Sequence, residues 1–391
     1  MNETISILQT YKKQCSDSQS QVLATVLRVQ GSSYRQPGAR MLITTKGEIA
    51  GSVSGGCLER DLIQQARLVN HTQSRFEIIR YDTTDDGEEF ESLRSVSLGC
   101  QGIVDIGLES IGPGATHPVL EILRESVEQG REGCIATIIS TPENFGLKSS
   151  ELADILGKVF ILDSEDLNGI SKYALADDSE LESRIKRDLK ELQTTQVKSY
   201  ETPVGNIDVL LERIRPPKRW IIFGAGHDSI PLAETAQAIG WHVTVVDCRS
   251  SYSMPQRFFS KVDKLIRCEP SEISNKLVLT SDTFCVLATH NYYHDRVILE
   301  KLLNSPVDYI GILGPKKKSL SLLDDLKKEG IELDESKLSR IYSPVGIDTG
   351  AESPQEIALS IITEAMAVAK KRTAGFLRDR DGPIHDRGCS N

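Results

Sequence analysis

Apolar positions along the chain come in short β-branched runs separated by glycine-bearing turns up to about residue 214. Beyond that point strand-like runs alternate with helix-length amphipathic stretches. The two patterns predict two architectures. In the first part, residues 3–14 read as an amphipathic helix, and 22–29, 40–45 and 48–53 as strands of an antiparallel sheet. A helix is expected from the Gly55-Gly56-Cys57 region to about Val69, with strands at 75–81, around 98–106, near 134–140 and near 158–162. Helices are expected near 117–130 and 178–192, and 197–214 reads as a hairpin turned at Val204-Gly205-Asn206. The acidic stretch 82–91 reads as a solvated loop.

Pro216-Pro217-Lys218 marks a linker, and the chain after it carries its clearest pattern. Trp220-Ile221-Ile222-Phe223 reads as a strand entering the turn Gly224-Ala225-Gly226. A helix over 229–239 and a second strand over 242–246 follow, ending on Asp247, 23 residues after Gly224. That is the βαβ spacing of a dinucleotide fold. Gly224 would allow the sharp turn, Gly226 the close approach of a pyrophosphate, and the helix start its free N–H groups. Asp247 would accept hydrogen bonds from a ribose diol and so favour NAD over NADP, a preference that Arg249 softens. Ser229 stands where the third glycine of G-x-G-x-x-G is expected, and Pro231 falls early enough in the helix to be tolerated. Strands near 262–267, 283–288, 307–313 and 341–342 alternate with helices, the last of them running from Pro354 to about Ala369. The expected fold class is therefore α/β. A C-terminal Rossmann-like, doubly wound, mostly parallel sheet (219–372) follows a linker (215–218) and an N-terminal α+β domain with antiparallel strands (1–214). A loose tail (373–391) ends the chain.

Composition changes this picture only by exclusion. A net charge of −10 with no basic stripe argues against nucleic acid as a partner. Neither a signal-like N-terminus nor an apolar run of about 20 residues is visible, so a cytoplasmic protein without a membrane partner is expected. Eight cysteines without a C-x-x-C pair read mostly as buried small hydrophobes.

Two cysteines sit on glycine turns. In Ser54-Gly55-Gly56-Cys57-Leu58-Glu59 the glycines would form an anion nest, the helix start would favour a thiolate on Cys57, and Glu59 would flank it. The alternative is a sheet-to-helix turn with a buried structural cysteine. Cys100 repeats the arrangement between Gly99 and Gly102. On the expected carboxyl rim of the parallel sheet, Thr289-His290-Asn291-Tyr292-Tyr293-His294-Asp295 suits contact with a nucleotide or partner, or a helix cap. His290 and His294, four residues apart, are also a candidate metal pair. Gly314-Pro315-Lys316 suits a phosphate or is a solvated basic turn. Ser343 to Gly350 reads as a rigid loop before the last helix.

The ordered series GSSYRQPGARM, GSVSGGCLERD, LGCQG, FGAGHDSIPLA with VVDCR, ATHNYYHD, GILGPKKK and SPVGIDTGAESPQEIALSIITEAMA resembles the XdhC/CoxI family over about residues 20–370. Members are accessory factors for xanthine dehydrogenase and related molybdenum hydroxylases. The resemblance implies an XdhC/CoxI domain followed by a Rossmann domain, and a chaperone that holds the molybdenum cofactor (Mo-molybdopterin) for sulfuration and insertion. Implied partners are a xanthine dehydrogenase-type molybdenum hydroxylase and a cysteine desulfurase, with a homodimer left open. Gly55, Gly56, Cys57 and Glu59 match the family's first motif and Cys100 its second, where Gln101 replaces a glycine. On this reading Cys57 contacts molybdenum or carries sulfur, and Gly224, Gly226, His227, Asp247, Arg249, Thr289, His290, Gly314 and Lys316 face a nucleotide, NAD(P), or the cofactor's phosphate end. An NAD(P)-dependent oxidoreductase using His290 or His294, and a nucleotide-sensing regulatory module, are the competing functions.

Overall fold

A computed structural model describes residues 2–16, 19–31, 33–72, 76–82, 102–140, 156–157, 159–163, 179–202, 205–249 and 262–381. By their contacts the described residues fall into two units, within Glu3–Pro216 and within Pro217–Asp386.

The first unit is built on two antiparallel sheets. One has the order β3-β2-β1-β5-β4, from β1 (Gln21–Gly31), β2 (Arg40–Thr44), β3 (Ile49–Gly51), β4 (Phe76–Asp82) and β5 (Gly102–Ile111). The other has the order β7-β6-β9-β8, from β6 (Gly133–Ser140), β7 (Val159–Asp163), β8 (Gln196–Thr202) and β9 (Gly205–Ile214). Strand alternation decides what each face meets. Val22, Ala24 and Val26 of β1 pack with Leu58, Leu62, Ala66 and Val69, three of which lie on α2 (Glu59–Thr72). Leu23 on the opposite face of β1 packs with Ile7 and Tyr11 of α1 (Asn2–Ser16) and Leu120 and Leu123 of α3 (Pro118–Gln129). Burial on both faces makes the start of β1 almost continuously apolar, which is unusual for an antiparallel strand. The second sheet covers one face with Leu181, Ile185 and Leu189 of α4 (Ser179–Glu191). Arg40 and Glu212, both buried, form an ion pair of 2.6 Å that ties β2 to β9.

The second unit is a six-stranded sheet in which every pairing is parallel, in the order β12-β11-β10-β13-β14-β15. Its strands are β10 (Arg219–Phe223), β11 (His242–Asp247), β12 (Lys264–Arg267), β13 (Thr283–Leu287), β14 (Tyr309–Ile312) and β15 (Ile341–Tyr342). Alternation again sorts the core. Trp220, Ile222, Val243, Val245 and Phe284 face α5 (Ser229–Ala238) and the last long helix, α10 (Pro354–Ala369). Ile221, Phe223, Val246, Cys285 and Leu287 face α7 (Tyr292–Leu303) and α8 (Lys316–Lys328). Two short helices, α6 (Ile273–Lys276) and α9 (Glu335–Leu338), complete the layers. Trp220 anchors the first face, with its ring centroid 5.5 Å from Trp241 and 6.1 Å from Tyr309. Truncating such a fully buried ring costs about 3–5 kcal/mol.

Strand order reverses between β10 and β13, which is the switch point where open parallel sheets bind ligands. Everything after the carboxyl ends of the strands therefore shares one rim: Gly224–Gly226, Cys248-Arg249, Ala288–Asn291, Leu313–Pro315 and Ser343–Gly350. No described helix is long and apolar enough to cross a membrane. Expected elements and observed bounds agree to within a few residues, apart from the strand expected around 98–106, whose described part is Gly102–Ile111, and the tail expected to be loose, in which Leu377–Asp379 form a 3-10 turn; the acidic stretch expected as a loop lies, after Asp82, outside the described residues.

Candidate functional site

The switch point is a backbone crossing first. Gly224 has φ +132°, and a Cβ there would lie 2.1 Å from the carbonyl oxygen of Ala288 on the neighbouring strand exit. Only glycine fits. Beside Gly226, a Cβ would meet the Asp228 carboxylate at 2.5 Å and the His290 ring at 3.9 Å. His290 adopts φ +56° and its Nε2 lies 2.8 Å from Asp228 Oδ2, so the pair spans the crevice from one strand exit to the other. This changes the role expected of Gly226. A carboxylate already stands at the helix start, where it suits the positive dipole end and repels a pyrophosphate. Ser229, in the place of the third glycine, is buried at the start of α5. His227 is exposed.

Asp247 also differs from its expected task. Its carboxylate is 3% exposed and is gripped by Arg249, with Nε 2.8 Å from Oδ1 and Nη2 3.0 Å from Oδ2. The same Nη2 donates to the carbonyl of Ala225 at 2.8 Å. A ribose diol would have to displace this guanidinium. What lies over the glycine turn is this guanidinium, paired with Asp247 and bonded to the Ala225 carbonyl, so an incoming phosphate would have to draw it away from Asp247.

Thr289 and Asn291 build the start of α7. Asn291 Oδ1 accepts from the backbone N–H of His294 at 3.1 Å, and the Thr289 hydroxyl donates to Asp295 Oδ1 at 2.6 Å. His290 thus precedes the helix and His294 lies within it, so the two imidazoles do not share a helical face. Among the described residues no group of three or more His, Cys, Asp or Glu gathers as a metal site. Asp295, fully buried, pairs with Lys318 Nζ at 2.5 Å, and Lys318 also donates to the carbonyl of Leu313 at 3.1 Å. Lys316, the lysine expected to face a phosphate, is exposed on the first turn of α8, just after Gly314 (φ +126°). Lys318 is the one turned inward, and neither it nor Asp295 stands out in sequence, because 23 residues separate them.

In the first unit, the turn at Ser54–Leu58 folds around a carboxylate of its own. Glu59, 7% exposed, accepts from the backbone N–H of Ser54 at 3.2 Å and of Gly56 at 2.9 Å. It also accepts from the hydroxyl of Ser52 at 2.9 Å and from that of Ser54. The Gly55 N–H goes to Ser52 Oγ at 3.0 Å and the Leu58 N–H to Ser54 Oγ at 2.9 Å. Burial pushes the Glu59 carboxyl up, but the hydrogen bonds from Ser54 and Ser52 outweigh it and hold the group below the usual range. Gly55 and Gly56 therefore form a nest, as expected, but for a resident anion. Glu59 shapes the turn and does not flank Cys57.

Cys57 itself is exposed. Leu58 caps the helix by accepting from the Leu62 N–H at 3.0 Å, so Cys57 precedes α2 instead of opening its first turn. Next to it, Gly56 has φ +117° and a Cβ there would meet none of the described residues within 4 Å. The Rossmann cysteines contrast with Cys57. Burial pushes the Cys248 thiol up to about 12 and raises Cys268 and Cys285 as well, as expected of small buried hydrophobes. Cys100, Gly99 and Gln101 lie outside the described residues.

Two family models match the chain: one described as the XdhC Rossmann domain over residues 220–365, the other as the XdhC and CoxI family over 15–82. A protein of Bacillus subtilis (strain 168), described as a probable xanthine dehydrogenase subunit, is 30% identical over 91% of this chain and 95% of its own length. The molybdenum cofactor insertion chaperone PaoD of Escherichia coli (strain K12) is 22% identical over 89% of this chain and 83% of its own. Among solved structures, one described as a xanthine dehydrogenase from Bacillus halodurans superposes with a TM-score of 0.71 at 26% identity, covering 94% of this chain and 97% of that one.

Proposed function

This chain belongs to the XdhC and CoxI family, and from that premise we propose that it is an accessory factor for a xanthine dehydrogenase-type molybdenum hydroxylase. In this reading it binds the molybdenum cofactor, holds it for sulfuration by a cysteine desulfurase, and passes it to the apo-enzyme in the cytoplasm. The observation that carries the reading is the exposed thiol of Cys57 beside the open face of Gly56. A thiolate is a soft ligand, suited to molybdenum or to transferable sulfur. The residues fit a cargo site better than a resident metal site, since among the described residues Cys57 has no group of companion ligands around it, and a single thiol can hold a metal-bearing guest and release it. Bound cofactor would supply the redox chemistry of the recipient enzyme. Here the protein only has to hold and orient it.

For the Rossmann unit, taken by itself, we propose the phosphate group of a nucleotide as the ligand. The Arg249 guanidinium lies over the glycine turn where such a group arrives. NAD fits less well, because its ribose competes with Arg249 for Asp247. Cys57→Ala tests the cofactor reading. Pterin carried through purification, measured by fluorescence after acid oxidation, should fall about tenfold, along with activation of the apo-hydroxylase. Unchanged pterin content removes Cys57 from the site, and NADH turnover without any molybdenum enzyme favours an oxidoreductase instead.

A further inference from the structure

A second place in the first unit combines a cavity with ordered charge. Arg28 on β1, Asp105 on β5 and Arg80 on β4 are register partners, forming a row across three adjacent strands. Asp105 accepts from Arg80 Nε at 2.7 Å and Nη2 at 3.0 Å. In the other sheet Ser140, Asp208 and Ser199 form an equivalent row across β6, β9 and β8. The Arg28–Asp208 ion pair links the two sheets. Hydrogen bonds from Ser199, Arg28 and Ser140 outweigh burial and hold the Asp208 carboxyl below its usual range.

Both sheets break their ladder at this point. The β1–β5 register slips between Val26 and Arg28, and the β6–β9 register between Ile138 and Ser140. A bulge places two consecutive side chains on one face, which strict alternation forbids. Leu27 with Arg28, and Ile139 with Ser140, accordingly line one cavity of about 360 Å³ together with Ile78, Arg80 and Asp105. Leu27 and Ile139 belong to a small apolar cluster of their own, with Ile78 packed against it. A bridge between the sheets needs only Arg28 and Asp208. Arg80 is additional: its side chain is 59% exposed while that of Asp105 is 11% exposed. An ion pair this exposed on one side contributes little and rearranges easily.

Resting on the cofactor reading above, we propose that this cavity holds the amino-pyrimidinone edge of the pterin. The chemistry is complementary. Such a ring offers an amino group and a ring N–H side by side to the Asp105 carboxylate, and a carbonyl to Arg80, while its flat faces cover Leu27, Ile78 and Ile139.

Biopterin is the probe, because it carries the heterocycle without metal or dithiolene. Titrated onto the full chain and followed by its own fluorescence, it should saturate. Asp105→Asn should weaken it about tenfold, since a charged acceptor for two N–H groups is lost. Ile78→Trp should abolish binding by filling the cavity from a half-buried position, and it keeps the ion pair should the first variant not fold. Cys57→Ala should leave biopterin affinity unchanged. Guanosine, which shares the edge, should bind more weakly. Tighter guanosine binding, no saturation by biopterin, or equal affinity in folded variants overturns the proposal. Cofactor that co-purifies undiminished with both cavity variants removes the cavity but spares the carrier reading. Biopterin binding that depends on the cavity, in a protein that never carries cofactor, does the reverse.

Discussion

The turn at Ser54–Leu58 and the turn at Gly224–Gly226 look alike in sequence, each a glycine pair leading into a helix, yet they solve opposite problems. In the first, the following helix sends Glu59 back into the loop, so the donors are used inward and the open face belongs to Gly56 and Cys57. In the second, the glycine exists because another strand exit passes within contact of it, and side chains from elsewhere, Arg249, Asp228 and His290, dress the outside. A glycine signature fixes the path of the backbone. What fills the bend is decided by residues that the signature does not contain.

The largest separation between the two turns should come from alanine at their glycines. Gly224→Ala places a methyl group 2.1 Å from a backbone oxygen that cannot yield, and is expected to cost about 4 kcal/mol or more in denaturant unfolding or to prevent folding. Among the described residues Gly56→Ala meets no neighbour and pays for its positive φ alone, so about 1–2 kcal/mol is expected. Equal costs would collapse the contrast.

Glu59→Gln should come next, at about 2–3 kcal/mol, because an amide nitrogen would face donors that now meet a carboxylate. It has a pH signature. The carboxyl lies below its unfolded value in the native state, so its contribution is fully present above about pH 4.3 and fades as pH falls through the depressed native value. Unfolding curves of wild type and variant should therefore converge in acid, and parallel curves would show that the turn does not depend on the charge.

An effect on stability smaller than that of Glu59→Gln is expected from Arg249→Ala. It leaves Asp247 without its guanidinium but opens the site to water, at about 1–2 kcal/mol. It should lower pyrophosphate affinity about tenfold by calorimetry. A gain in NAD affinity alone would instead identify Arg249 as a gate over Asp247.

Much of this is legible in the chain itself. Short, nearly continuous apolar runs locate β10, β11, β13 and β14, because strands buried on both faces carry few polar residues. The 23-residue spacing finds Asp247, and the cap of α7 is visible as Asn291 with its neighbours. The partner of Asp247 is harder to find: in sequence Arg249 is only a neighbouring charge, whereas its bidentate grip depends on how β11 ends. Glu59 reads as a flank of Cys57 because a carboxylate at a helix start usually points to solvent, and only the folded loop shows it turned back. The Arg28–Asp105–Arg80 row, drawn from residues up to 77 apart, depends on strand register and a bulge, neither of which local composition encodes.

The seclusion of Cys248, Cys268 and Cys285 has a practical corollary. Maleimide dyes attack thiolates, and these three sulfurs stay protonated and covered at neutral pH. A reporter fixed to Cys57 would register the docking of a guest at the first unit while those three sites of the second stay dark.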